Sequence, residues 1–338
     1  MLPLLFTVVL DTAAATKVYH VGNSLTWDSS PSNLSVLSGN TGADPIQNGW
    51  HIRCGMSLDY IYGNPDDVCV APTSFGTWDE ALTEQNDWDA ITFQPFPRFT
   101  STLTSDISSV NLMSDQCFQN KGFEKTVFIY SGWPWQSPEG FAFDWNRPLD
   151  KAGDLPTTLS QKYSSVLVDE LRSSRNNAVY LIPVGEVLCK LGESLEQQPF
   201  EITNASGEVQ VFDSTYSLYR DQYHLDVQFG RYVALVTMYT CLTGEFPSFV
   251  NGVSTGSGTV PLVWHERIEG VVRAALSQCD RTGLRWDYDF NDDDVVDFAD
   301  VLSVLGVWGT CQYCSQDVDR DGEVGFPELI GTLNNWGG

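Results

Sequence analysis

The first half of the chain and the residues just past its middle contain five short apolar runs rich in β-branched and aromatic residues. They lie at residues 18–22, 49–54, 88–93, 125–130 and 178–184. Runs of this length without polar alternation are typical of strands buried on both faces of a parallel sheet. The stretches between them are longer and partly helical; Leu167 and Leu171, for example, share a face of a helix predicted over residues 155–172. The pattern predicts βαβ units and an α/β fold with a five-stranded parallel sheet.

Polar chemistry follows the first run. Gly22 ends that run and Ser24 comes two residues later, at the edge of the sheet where open α/β folds bind their ligands, in what we predict to be a polar loop. Asp221 and His224 stand three positions apart, far along the chain, in a loop that leads into a helix. A serine hydroxyl becomes nucleophilic when an imidazole takes its proton and an acid orients that imidazole. These three residues are the candidate catalytic set.

The other three histidines are weaker candidates for the base. His20 and His51 fall inside predicted strands, so we expect them in the core. His265 lies beyond the segment of Asp221 and is expected to be structural or exposed. Only His224 occupies a loop from which its ring can reach the serine.

Ser24 together with Asp221-x-x-His224 and the span of residues 221–247 resembles the SGNH (GDSL-type) hydrolase family. The resemblance implies a three-layer SGNH/flavodoxin-like sandwich and ester hydrolysis through an acyl-enzyme. It implies Ser24 as nucleophile, His224 as base and Asp221 as the orienting acid. The chain has no Gly-x-Ser-x-Gly elbow, which argues against the ordinary α/β-hydrolase family.

The same resemblance implies an oxyanion hole made by the backbone N–H groups of Ser24 and Gly55, although Gly55 alone also suits a plain turn. The family usually adds an asparagine from Gly-x-Asn-Asp, but this chain has Gln94-Pro95-Phe96-Pro97 at that point. The amide of Gln94 is the candidate third donor; the alternative is that Gln94 caps the strand end. Asn23, where the family often has aspartate, is expected to order the serine loop.

Trp133 and Trp135 follow the fourth run. Indole rings stack on the apolar faces of sugars, so the pair is a candidate carbohydrate-facing wall; packing within the loop is the alternative.

The net charge of −26 argues against nucleic acid or anionic membrane as a partner, since both are bound through basic patches. Residues 281–338 contain twelve acidic and three basic residues, a net charge of −9 that suggests bound cations. Sliding this tail by 28 positions aligns ten residues with a second copy, from Asp289 with Asp317 to Gly309 with Gly337.

Both copies place oxygen side chains at positions 1, 3, 5 and 12 of a loop, the pattern of an EF-hand Ca²⁺ site. Gly322 occupies the turn at position 6 of the second loop and Asp294 that of the first, while position 9 of the second is Gly325, where water could take the place of a side chain. The predicted Ca²⁺ ligands are Asp289, Asn291, Asp293, Asp297 and Asp300 in the first loop and Asp317, Asp319, Asp321 and Glu328 in the second.

Each loop runs into one helix with apolar residues at i, i+3, i+4 and i+7, and neither follows an entering helix. The paired loop–helix units resemble dockerin type I modules, which implies a small all-α EF-hand-like module and a cohesin-like protein partner. Cys311 and Cys314 stand between the copies, where a disulfide fits better than a zinc site with one pair.

Residues 1–15 resemble a secretory signal peptide, with an apolar stretch followed by alanines but no preceding basic residue, and they are too short to span a membrane. We therefore predict a hydrolase domain over residues 16–279 and a calcium module over residues 280–338. The predicted protein is a secreted or cell-surface serine esterase that removes ester groups, O-acetyl being the simplest, from an extracellular polysaccharide. Two alternatives stay open: a lipid or small-ester hydrolase of the same fold, and a binding or surface-assembly protein that has lost turnover.

Overall fold

The computed structural model describes residues 17–41, 45–96, 101–118, 122–147, 159–203, 209–249, 259–293 and 295–337. The chain divides into two compact units, Ala15–Ala275 and a second unit that contains Leu276–Gly338. The boundary predicted between residues 279 and 280 lies four residues beyond this division. The predicted signal peptide, residues 1–15, lies outside the described residues.

A five-stranded, wholly parallel sheet forms the centre of the first unit, in the order β2-β1-β3-β4-β5. The α/β class and the five parallel strands are thus confirmed. Nearly every residue of β1, β3, β4 and β5 is buried, as expected of strands covered on both faces. The strands are β1 Lys17–Gly22, β2 Gln47–Ile52, β3 Ala90–Phe93, β4 Thr126–Tyr130 and β5 Ala178–Ile182.

Ten helices accompany the sheet in the described residues: α1 Ser24–Asp28, α2 Leu34–Thr41, α3 Leu58–Gly63, α4 Trp78–Ala81, α5 Leu103–Phe118, α6 Phe141–Trp145, α7 Gln161–Ser174, α8 Val184–Gln197, α9 Phe229–Thr243 and α10 Leu262–Ser277. Helix α5 contacts α3 and α7, whereas α9 contacts α1, α2 and α8. These two groups of helices are consistent with a three-layer sandwich. A separate antiparallel hairpin is formed by β6 Phe200–Thr203 and β7 Val209–Phe212.

The segment after β1 differs from the predicted polar loop, because Ser24 begins helix α1. Asn23 caps this helix, and its Oδ1 accepts the N–H of Leu25 at 2.9 Å. Gly22 permits the tight turn into it, since a Cβ there would lie 2.2 Å from Thr26 Oγ1 and 2.9 Å from Gln94 Cβ. The strand end and the serine helix are therefore packed too closely for any side chain at position 22.

The second unit contains two helices, α11 Phe298–Gly306 and α12 Phe326–Asn334, which pack against each other. The all-α module predicted from the sequence is wrong in one respect, because β8 Gly309–Thr310 pairs antiparallel with β9 Glu323–Val324. Its small core comprises Phe290, Val304 and Val324. A disulfide joins Cys311 to Cys314, as expected from their position between the copies. Among the described residues, no helix has the length and apolar character to cross a bilayer.

Candidate active site

The side chain of His224 lies within hydrogen-bonding distance of both Ser24 and Asp221. His224 Nε2 lies 2.9 Å from Ser24 Oγ, and His224 Nδ1 lies 2.9 Å from Asp221 Oδ2 and 3.1 Å from Oδ1. With the carboxylate accepting from Nδ1–H, Nε2 is left to accept the proton of the serine hydroxyl. Residues from opposite ends of the first unit thus form a continuous Ser–His–Asp arrangement.

Asp221 is fixed by its own backbone. Its Oδ1 accepts the N–H of Tyr223 at 2.8 Å and that of His224 at 2.9 Å. Partial burial alone would raise the pKa of Asp221, but these two N–H donors and the imidazole outweigh it and lower that pKa below its ordinary value. The carboxylate is therefore ionised at neutral pH and oriented toward the ring.

The remaining histidines are interior residues, as the sequence indicates for His20 and His51. His20 contacts Thr92 Oγ1 at 2.9 Å and Asn48 Oδ1 at 3.1 Å. Burial lowers the pKa of His20 and of His51 to about 4, so both rings are neutral. His265 is buried on α10, with its Nδ1 2.8 Å from the hydroxyl of Tyr232.

The backbone N–H groups at the start of α1 are satisfied, with one exception. Those of Asn23 and Thr26 donate to Gln94 Oε1 at 3.2 and 3.1 Å, and that of Leu25 donates to Asn23 Oδ1. The N–H of Ser24 has no acceptor among the described residues. An oxyanion hole requires a donor of this kind, and the N–H of Ser24 fits that requirement.

Gln94 occupies a different place from the one its candidate role requires. It is fully buried and does not line the cleft beside Ser24. Its Oε1 also accepts the hydroxyl of Thr26 at 2.9 Å, and its Nε2 donates to the carbonyl of Pro95 at 3.3 Å. The geometry favours the alternative in which Gln94 supports the strand end, here by binding the first turn of α1 through its oxygen.

Gly55 does line the cleft, at the turn after β2, and has φ of 64°, in the left-handed region that favours glycine. A disulfide joins its neighbour Cys54 to Cys69, and Cys69 N–H donates to the carbonyl of Ile52 at 2.9 Å. The covalent link and the backbone bond restrain the glycine turn in the lining of the cleft.

The cleft has a volume of about 490 Å³ and an apolar, aromatic wall. The ring of Trp135 lies 5.1 Å from that of Tyr223 and 6.2 Å from that of Phe96. Trp133 is fully buried instead and donates its Nε1–H to the carbonyl of Tyr223 at 2.9 Å. Of the two tryptophans, Trp135 faces the cleft and Trp133 packs beneath it. The lining residues are Ser24, Leu25, Cys54, Gly55, Phe96, Trp135, Tyr223 and His224.

Sequence reasoning missed three charged residues close to the candidate catalytic residues: Asp28 and the two arginines that contact it, Arg220 and Arg231. Asp28 stands four positions after Ser24, and Arg220 directly precedes Asp221. This closeness in sequence to candidate catalytic residues was the available indication that the two residues belong to the site.

The two acidic loops of the second unit share one hydrogen-bond pattern. The N–H of Asp293 donates to Asp289 Oδ1 at 3.2 Å, and the N–H of Asp321 donates to Asp317 Oδ1 at 3.1 Å. In both copies the residue at position 9, Asp297 or Gly325, donates its N–H to the carboxylate at position 12. The repeat found in the sequence is therefore a repeat of local structure, although Asp294 lies outside the described residues.

The second loop fits a bound cation. Asp317, Asp319 and Asp321 each bring a carboxylate oxygen within 4.8 Å of the others. Glu328 is 1% exposed, and its Oε1 has no hydrogen-bond partner in the described part of the chain. Burial, helped by Asp319 and Asp321, raises the pKa of Asp317 to about 7. Clustered carboxylate oxygens with one buried and unpartnered are the donor set that a hard cation such as Ca²⁺ takes.

The first loop fits a cation less well. Both oxygens of Asp300 are already bonded, Oδ1 to the N–H of Phe290 at 2.6 Å and Oδ2 to that of Asp297 at 2.9 Å. Asn291 donates to Asp293 Oδ2 at 2.9 Å, within the set of predicted ligands. The shorter side chain at position 12 serves the backbone of the loop here.

A scan against protein-family models finds no match, and a search of curated proteins finds none either. Among solved structures, the chain is similar to a DUF4886 family protein from Bacteroides uniformis, with 18% identity and a TM-score of 0.48. The similarity covers 77% of this chain and 93% of that one. A likeness this distant says nothing about activity.

Proposed function

We propose that the protein is a serine esterase of the SGNH type, with Ser24 as nucleophile, His224 as general base and Asp221 as the acid that orients the imidazole. The observation that carries the proposal is the pair of 2.9 Å contacts from the two nitrogens of His224 to Ser24 Oγ and Asp221 Oδ2. Under this proposal the first unit is an enzyme, and its three-layer, flavodoxin-like sandwich is the scaffold that holds the active site.

In the proposed reaction, Ser24 Oγ attacks the ester carbonyl while His224 Nε2 takes the hydroxyl proton. The C–O bond to the alcohol breaks, and His224 returns the proton to that leaving group. Water then attacks the acyl-enzyme by the same route and releases the acid. Asp221 stabilises the transient imidazolium, which its lowered pKa suits it to do.

The oxyanion formed in both steps needs donors arranged in advance. The proposed donors are the N–H of Ser24, unpaired among the described residues, and the backbone N–H of Gly55, which lines the same cleft. Loss of one such donor typically costs about 100- to 1,000-fold in rate. Gln94 enters the proposal as support for the serine turn.

For the substrate we propose an acylated extracellular polysaccharide, with acetyl as the simplest acyl group. The rings of Phe96, Trp135 and Tyr223 give the cleft a face on which sugar CH groups can stack. The net charge of −26 disfavours polyanionic substrates by repulsion.

The same apolar lining also suits a fatty acyl chain, which keeps the lipid or small-ester alternative in view. Turnover of p-nitrophenyl acetate, octanoate and acetylated xylan separates the two. A rise in kcat/KM with acyl length, without deacetylation of the polymer, would favour a lipid or small-ester hydrolase over a polysaccharide esterase.

A fluorophosphonate probe tests the proposed nucleophile without knowledge of the substrate. Ser24 Oγ should bond to phosphorus as fluoride leaves and His224 takes the proton, and peptide mass spectrometry should find the adduct on Ser24. His224→Ala should abolish labelling. Labelling of another serine, or none at all, would favour the alternative of a binding protein without turnover.

For the second unit we propose a dockerin-like calcium module that tethers the esterase to a cohesin-like partner outside the cell. Asp317, Asp319, Asp321 and Glu328 would hold one Ca²⁺, and the first loop would hold another more weakly. The bound ion would hold the carboxylate side chains of the loop together. Large apolar side chains recur at matching exposed positions in the two helices and two residues beyond the end of each, and they offer a contact surface: Phe298, Leu305 and Trp308, and Phe326, Leu333 and Trp336.

Capture by an immobilised cohesin-type domain, with Ca²⁺ and with chelator, tests the tether. Capture only with Ca²⁺, and its loss in a Phe298→Ser, Phe326→Ser double variant, would support it. Equal capture under both conditions would contradict it.

A further inference from the structure

We propose that Asp28 is a positioning residue of the esterase reaction, one that fixes the turn bearing Asp221 and His224 against the helix bearing Ser24. This inference rests on the proposed esterase function. Ser24 is the first residue of α1 and Asp28 the last. Residues four apart on a helix share a face, one turn apart. The nucleophile and Asp28 therefore face the same neighbouring segment.

That segment is the turn of residues 218–226. The N–H of Asp226 donates to the carbonyl of Leu218 at 2.7 Å, and the N–H of Arg220 to that of His224 at 2.9 Å. Asp221 and His224 lie within this closed turn, so its two backbone hydrogen bonds hold their positions relative to each other. Whatever fixes the turn also fixes the imidazole.

Asp28 binds the turn directly. Its Oδ2 accepts the N–H of Leu225 at 2.9 Å, and its Oδ1 accepts from Arg220 Nη1 at 3.1 Å. The contacts Ser24–His224 and Asp28–Leu225 thus join two helix residues one turn apart to two consecutive residues of the turn. Two such points set both the distance and the angle at which the imidazole meets the hydroxyl.

Arg231 of α9 completes the site, with Nε at 3.0 Å and Nη2 at 2.7 Å from Asp28 Oδ1. The carboxylate is 1% exposed and is bonded to two guanidinium groups and one backbone N–H. Charge-assisted bonds of this kind are strong and directional. They join α1, the catalytic turn and α9 at a single buried charge.

Asp28→Asn tests the inference, because it keeps the shape of the side chain and removes the charge. We expect kcat on p-nitrophenyl acetate to fall about 100-fold with KM within about threefold, since a displacement near 1 Å can cost that much. Asp106→Asn is the matched control, a buried carboxyl of the same unit that contacts Tyr163 and not the triad. Its kcat should stay within about threefold of wild type.

A double variant separates positioning from general damage. Because Asp28 acts through His224, Asp28→Asn should lower activity no further in a His224→Ala background. An equal loss in both backgrounds would overturn the positioning role. If Asp28→Asn does not fold, Arg231→Lys, which keeps the charge but not the two-point contact, should lower kcat about tenfold; unchanged kcat would overturn the inference.

Ser24→Ala in the same assay distinguishes the two proposals. Turnover that survives Ser24→Ala overturns the esterase function itself. Turnover lost in Ser24→Ala and retained in Asp28→Asn overturns the role of Asp28 alone.

Discussion

The acidic side chains of the two units differ in how the protein itself satisfies them. In Ala15–Ala275, Asp28 is 1% exposed and bonds two arginines and a backbone N–H. In the unit of Leu276–Gly338, Glu328 is equally buried, yet its Oε1 has no partner among the described residues. A buried polar atom without a partner costs free energy. The first site is therefore complete in the chain alone, whereas the second has the unpartnered oxygen on which the proposed calcium site rests.

The same contrast recurs on a smaller scale between the two acidic loops. Asp300 uses both carboxylate oxygens on backbone N–H groups, while Glu328, one methylene longer, uses only one. Near-identical loops with different side chains at position 12 thus differ in the oxygens they leave for a metal.

The largest effect should come from the triad. His224→Ala should lower kcat on p-nitrophenyl acetate about 10⁴-fold, because the serine loses its base. Calcium binding by the second unit, measured by titration calorimetry, should not change. Loss of calcium binding in this variant would show that the two sites are not independent.

The next effect concerns Asp106, a buried carboxyl that bonds only to uncharged groups. Burial raises its pKa to about 7, and Tyr163 donates to it. Because the folded-state pKa lies above the unfolded one, the folded protein binds the extra proton, and its stability should fall as pH rises from about 4 to 7.

The loss from this group should be of the order of 4 kcal/mol at most. Urea unfolding at pH 4.5 and pH 7.5 measures it, with Asp106→Asn as the comparison that lacks the titration. A difference between variant and wild type that is the same at both pH values would contradict the role given to Asp106.

A third prediction compares position 12 of the two loops. Glu328→Gln should weaken calcium binding at the tighter site about 100-fold, since the neutral amide removes a charged ligand. Asp300→Asn is the matched change in the first loop and should leave the tighter site within about threefold of wild type. Titration calorimetry with Ca²⁺ on both variants measures the two affinities. Equal loss in the two would mean that the loops bind alike.

The smallest effect should come from Gln94→Glu. If Gln94 serves the first turn of α1 through its oxygen, a carboxylate can accept the same bonds from Asn23 and Thr26, and kcat should fall less than about tenfold. If its NH₂ group serves the oxyanion, kcat should fall about 100- to 1,000-fold. Steady-state kinetics of Gln94→Glu, compared with those of Gln94→Ala, separate the two roles.

The sequence predicts the sheet well because four of its five strands, β1, β3, β4 and β5, are buried along nearly their whole length and are mostly apolar. It also predicts which serine and histidine meet, since Asp221-x-x-His224 is local and close to a known motif. The partners of Asp28 could not be found in this way. Arg220 lies 192 residues from it in the chain, and closeness to Ser24 and Asp221 in sequence indicates neither residue's partner.

Two further features depend on orientation, which sequence does not encode locally. Gln94 presents its oxygen to α1, and residue type alone cannot tell which end of an amide faces a site. Trp133 and Trp135 stand two positions apart in one loop, but only Trp135 faces the cleft. Helix α1 was also missed, because five residues capped by Asn23 resemble a polar loop.

Hydrolysis of p-nitrophenyl acetate by wild type, Ser24→Ala and Ser32→Ala, each with and without a calcium chelator, tests the central claim most directly. Ser32 is an exposed serine eight residues beyond the proposed nucleophile and serves as the matched control. The account predicts equal turnover by wild type and Ser32→Ala, unchanged by the chelator, and at least about 10⁴-fold less by Ser24→Ala. Equal turnover by all three proteins, or none by any, would contradict it.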